Sequence, residues 1–218
     1  KKVSDDVVFI AATNSREDRA GVSSILEPVK SRFCSIINLA TSVDDWTAWA
    51  VQSQISPEII AFIRSFPDYL SDFKPSKDMK NTPSPRTIEH ADKMHKTFKN
   101  DEDYILMEAI SGAAGEKFAI EFVAFYKSMQ DLPSKQEILD SPRTAKIPEE
   151  ISLKFAVTTM LGSNTDSFNM GQIANYIDRL DNEFQYMYYN DVIKRDESLA
   201  ETGVYNRWIT KNKDLFAA

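Results

Sequence analysis

The stretch Ser56-Pro57-Glu58-Ile59-Ile60-Ala61-Phe62-Ile63-Arg64-Ser65-Phe66-Pro67 decides the fold class. Ser56 is placed to cap a helix, Pro57 suits its first position, and Glu58 puts an acid in the first turn, where unpaired N–H groups favour negative charge. Ile59, Ile60, Phe62, Ile63 and Phe66 follow, and Pro67 stops the helix. The same signals recur downstream. Ser42 precedes a helix carrying Trp46, Trp49 and Ala50, and Ser84-Pro85 opens another that runs to about Phe98. Ile105, Leu106, Ala109 and Ile110 form one apolar stripe, and Phe118, Phe122 and Phe125 form the next. Ser134 and Glu137 have capping-box spacing. Stripes then follow on Leu153, Val157, Met160 and Leu161, on Met170, Ile173, Ile177 and Leu180, on Phe184, Met187, Tyr188 and Val192, and on Tyr205, Trp208 and Ile209. Roughly nine or ten helices are expected.

Upstream the pattern changes. Residues 7–12, Val-Val-Phe-Ile-Ala-Ala, form a short apolar run with β-branched members, and Phe33 to Leu39 form a second. Both read as buried strands, with a short helix expected from Ser23 to Ser31 around an ill-fitting Pro28. Two short strands make no stable sheet alone. The segment 1–40 is therefore expected to pair with another copy, to pack on the helices, or to lack order. The chain starts at Lys1 rather than Met, which reads as a start inside a longer protein.

Composition narrows the class without naming a chemistry. The 218 residues are 42% hydrophobic and 27% charged, which excludes wholesale disorder. No run is long enough to read as a membrane span, so no membrane partner is expected. One cysteine, Cys34, excludes an internal disulfide framework, and two histidines argue against a multi-histidine metal centre. His90 and His95 are five apart, off a shared helical face, and read as surface residues. A net charge of −7 makes nucleic acid a poor partner. A cytoplasmic location is expected. The chain contains no G-x-x-x-x-G-K-[ST], G-x-G-x-x-G or G-x-S-x-G motif.

Three positions carry candidate chemistry. Asn14 ends the first apolar run in Ala12-Thr13-Asn14. It is either a ligand-facing amide at a strand's carboxyl end or a turn-forming residue. Arg32, in Ser31-Arg32-Phe33, sits between the short helix and the second run, as an anion ligand or as an ordinary surface cation. Arg86, in Ser84-Pro85-Arg86, places a cation in a first helical turn, against the dipole preference. It reads as a phosphate contact or as a surface residue.

In order and interval, these three motifs resemble the second half of an AAA+ ATPase module, most closely its MoxR-like branch. The resemblance covers about residues 3 to 98. It implies a fold that is mainly α: a remnant of an α/β ATPase core over residues 1–40, with about two short strands, a helical lid over 41–98 and a C-terminal helical region over 99–218. It implies that Asn14 is the first sensor that orients the attacking water, that Arg32 is the arginine finger acting on a neighbouring subunit's nucleotide, and that Arg86 is the second sensor, contacting the γ-phosphate. An arginine finger is worth roughly 10³ to 10⁵ in rate. The implied parent binds ATP and Mg²⁺, assembles into a ring and remodels protein clients. Its phosphate loop and magnesium-binding acids have no counterpart in residues 1–218, so this chain alone is expected to be inactive and to hold no cofactor. The competing reading is a helical adaptor that binds protein partners without nucleotide.

Overall fold

The structure, a computed structural model, describes residues 3–4, 6–13, 27–72 and 78–213. It is mainly helical. Eleven α-helices and three short 3₁₀ turns lie among the described residues, against the roughly nine or ten helices expected. The chain divides into two units, residues 1–40 with 73–79, and residues 41–72 with 80–218.

In the first unit, α1 spans Glu27–Lys30, with Pro28 as its second residue. Residues 23–26 of the expected helix lie outside the described residues. The two expected strands are not formed: residues 7–12 and 35–39 have no regular secondary structure, and residues 31–34 form a turn and bend. A strand needs a neighbour to take its N–H and C=O groups. The apolar side chains of these runs are bare, with Val8 84%, Ile10 93%, Ile37 79% and Leu39 97% exposed.

The second unit holds two hydrophobic cores. The first is built by α2 (Val43–Gln52), α3 (Pro57–Ser65), α4 (Pro85–Phe98), α5 (Asp103–Ala114) and α6 (Glu116–Ser128). Phe62 is its centre, with the rings of Phe66, Tyr69, Phe118, Phe122 and Phe125 all 5.1–5.6 Å from it. The Phe118, Phe122 and Phe125 stripe thus packs onto the helix first recognised from Ser56 to Pro67. This core crosses residue 99 without a break, because Ile88 and Ala91 of α4 share it with Leu106 and Ile110 of α5.

The second core is built by α7 (Lys135–Asp140), α8 (Ile151–Ser163), α9 (Met170–Ile177), α10 (Asn182–Arg195) and α11 (Gly203–Lys211). Val157, Leu161, Ile173, Ile177, Tyr188 and Val192 are fully buried in it. Phe184, Tyr188 and Tyr189 pack as core residues, while Tyr186 faces outward. Helix α8 serves both cores: Ala156 lies in the first, and Val157 and Leu161 in the second.

The local signals act as expected at several helix ends. Ser42 Oγ accepts from the Asp45 N–H, and Ser134 and Glu137 form a reciprocal capping box. Gly115 joins α5 to α6 at φ +96°, and a Cβ there would stand 2.7 Å from the Asn81 carbonyl oxygen. Ser56 differs: it occupies the cap position of α3, but its side chain makes no capping bond. Its backbone N–H instead donates to Asp92 Oδ1 at 2.8 Å.

Candidate functional site

Helix α4 carries one candidate residue at its start and a buried polar cluster at its end. At the start, Ser84 Oγ accepts from the Thr87 N–H, and Thr87 Oγ1 accepts from the Ser84 N–H and donates to the Thr82 carbonyl. Pro85 has no N–H to offer. The helix start therefore has fewer open donors than the sequence suggests, and an anion there would depend on the Arg86 side chain. Arg86 is exposed, and its guanidinium makes no hydrogen bond or ion pair among the described residues.

Arg32 follows α1 and is likewise exposed. Its backbone N–H donates to the Val29 carbonyl at 3.2 Å, while its guanidinium has no partner among the described residues. Asn14, with the neighbouring Arg16 and Arg19, lies outside the described residues. Arg32 and Arg86 are thus two surface cations without a partner among the described residues, each in a different unit.

The other end of α4 holds an arrangement that sequence reading missed. Asp92 is buried and accepts from the Ser56 N–H and from Lys96 Nζ, the latter at 2.6 Å. Lys96 Nζ also donates to the Gln54 carbonyl at 2.7 Å, which ties the α2–α3 turn to α4. His95, expected at the surface, is fully buried. It stands edge-on to Phe122 and Tyr126, because position 95 falls on the α4 face that meets α6. Neither ring nitrogen has a hydrogen-bond partner among the described residues. Its Nε2 lies 3.8 Å from a Glu58 carboxylate oxygen, longer than a hydrogen bond. Burial pushes the Glu58 carboxyl up, but His95, the backbone and Lys99 together outweigh it and hold it below the ordinary carboxylate range.

A second polar arrangement joins the cores. Arg64, from α3, donates from Nη1 and Nη2 to the two carboxylate oxygens of Asp191, from α10, and also to Thr159 Oγ1 of α8 at 2.9 Å. The planar guanidinium suits this two-pronged contact. No run or motif signals it, because its members come from three helices.

The described residues contain no group of three or more His, Cys, Asp or Glu placed to hold a metal ion. No helix among them is long and apolar enough to cross a membrane. Comparisons of this chain with protein-family models, with curated proteins and with solved structures find no match.

Proposed function

We propose that this chain is the C-terminal part of a MoxR-like AAA+ ATPase, whose parent couples ATP hydrolysis to protein remodelling or complex assembly. The observation that carries the reading is the ordered set Ala12-Thr13-Asn14, Ser31-Arg32-Phe33 and Ser84-Pro85-Arg86. Two structural features support it. The apolar runs at 7–10 and 36–39 are exposed and form no strand, the expected state of strands taken out of a sheet. The guanidinium groups of Arg32 and Arg86 are exposed and have no partner among the described residues, as suits groups that answer to an anion from elsewhere.

In this reading the residues present serve the terminal phosphate of ATP and no other part of it. Arg86 pairs with that phosphate and couples it to the lid. Arg32 pairs with the nucleotide of the next subunit in a ring and stabilises charge as the phosphoryl group transfers. Asn14 orients the attacking water. Mg²⁺ would be held by acids of the parent's phosphate-loop half.

The test starts with the source reading frame upstream of the Lys1 codon. A glycine-rich loop ending in Gly-Lys-Ser or Gly-Lys-Thr is expected there. The whole frame is then expressed, and ATP hydrolysis is compared with that of Arg32→Ala. A loss of about 10³-fold or more, with ATP binding intact, supports the reading. A start codon at Lys1 with no such loop, or wild-type hydrolysis by Arg32→Ala, overturns it and leaves the helical adaptor.

A further inference from the structure

We infer that a groove between the two cores of the second unit docks an acidic peptide segment of a partner protein that carries aliphatic side chains. The groove has a volume of about 880 Å³ and lies where the α2–α3 turn faces the ends of α4, α8 and α10. It does not involve Asn14, Arg32 or Arg86, so it stands or falls apart from the ATPase reading.

The charge of the groove runs against that of the chain. The protein has a net charge of −7, yet Lys96, Lys99, Lys194 and Arg195 all line this one concavity. Two of them build the walls: Lys96 holds Asp92 and the Gln54 carbonyl, and Arg195 donates to the Thr165 carbonyl. The other two, Lys99 and Lys194, are exposed and make no hydrogen bond or ion pair among the described residues. Two carboxylates also line the groove. Glu58 faces His95, and Asp196 accepts from the Ser198 N–H at 3.1 Å and from its hydroxyl at 2.6 Å. Four cations thus line the groove against two carboxylates, and neither Lys99 nor Lys194 is tied up in a hydrogen bond or ion pair among the described residues, an excess of positive charge that suits an anionic occupant.

Its floor specifies what else the occupant carries. Val51 and Ile55 come from the first core, joined by the half-buried Met129, and Met160 comes from the second. Methionine adapts to irregular aliphatic shapes, and such floors suit peptides whose side chains vary. The rim adds Ser163, Asn164 and Gln52, polar side chains able to meet a peptide backbone. No aromatic residue lines the groove among the described residues, so it has no platform on which nucleic-acid bases would stack.

The test uses the 218-residue chain and a fluorescein-labelled peptide of alternating glutamate and leucine, followed by fluorescence anisotropy. Saturable binding is expected, weakening as salt rises. The double variant Lys99→Glu/Lys194→Glu should weaken it at least about tenfold, and Lys99→Gln/Lys194→Gln should weaken it less, with helical circular dichroism unchanged in both. Four outcomes overturn the proposal. They are no saturable binding, equal affinity for a lysine–leucine peptide, equal affinity for polyglutamate without leucine, and displacement by single-stranded DNA at matching charge concentration. A fifth does so as well: if both lysines serve only the helix ends, charge reversal lowers Tm and leaves peptide binding unmoved.

Discussion

Arg64 and Asp191 form a two-pronged ion pair with both N–O distances at 2.7 Å, and their side chains are only 10% and 5% exposed. The pair bolts the first core to the second through α3 and α10. Burying two charges costs several kcal/mol per ion, which the geometry and the Thr159 hydrogen bond offset. Truncating one partner strands the other. Arg64→Met or Asp191→Leu alone is expected to cost about 3–5 kcal/mol, whereas the double variant Arg64→Met/Asp191→Leu should cost much less than the two single changes combined. Urea denaturation of the four proteins measures the coupling. Additive single changes would mean that the pair does not act as a unit.

Gly115 permits the turn between α5 and α6. Its φ of +96° belongs to a region other residues enter only under strain, and a Cβ would press on the Asn81 backbone. Gly115→Ala is expected to destabilise by about 2–3 kcal/mol, read as a lower urea midpoint with an unchanged slope.

Gln54 has φ +57°, alone among the described non-glycine residues in having a positive φ. It follows the end of α2, where the Ile55 N–H returns to the Ala50 carbonyl and the Gln54 N–H to Val51. Glycine is the usual occupant of such a position. Gln54→Gly should raise stability by up to about 1 kcal/mol, since relief of left-handed strain exceeds the added chain entropy. A fall in Tm would show that the side chain contributes more than the strain costs.

Glu58 should make the protein acid-sensitive. Its carboxyl is held below its ordinary value of 4.5, so the unfolded chain binds the proton more readily than the folded one. The stability it contributes is present above pH 4.5 and is lost as pH falls through the lower folded value. Denaturation midpoints measured from pH 7 down to pH 3 should fall less steeply in Glu58→Gln than in the parent. Parallel curves would remove Glu58 from the account.

Arg86 should be dispensable for folding. It is exposed and has no partner among the described residues, so Arg86→Ala should change stability by no more than about 0.5 kcal/mol. Under the proposed ATPase reading, the same change in the proposed parent should sharply reduce ATP hydrolysis. Thermal melts and hydrolysis rates together separate a nucleotide contact from a structural arginine.

The legible part of the fold was local. Ser42, Ser84 with Pro85, and Ser134 with Glu137 act on residues within four positions of themselves, so their meaning is readable in sequence order. The Phe118, Phe122 and Phe125 stripe is legible for the same reason, because 3.6-residue periodicity puts it on one face. The candidate site was legible only as motifs: Arg32 and Arg86 are exposed, as a reading of surface cations also allows.

Amino-acid order by itself determined the helical class, most helix ends and which faces are apolar, because caps and periodicity are short-range physics. Tertiary structure decided the rest. A strand exists only with a neighbour, so the runs at 7–12 and 33–39 could not declare their state. His95 went inside because α6 presents Phe122 and Tyr126 to its face of α4, a fact no five-residue spacing contains. Arg64 and Asp191 are 127 positions apart, and Lys99 and Lys194 meet one groove only because α4 and α10 end beside it. Electrostatic attraction depends on distance in space, and only the packed chain sets that distance.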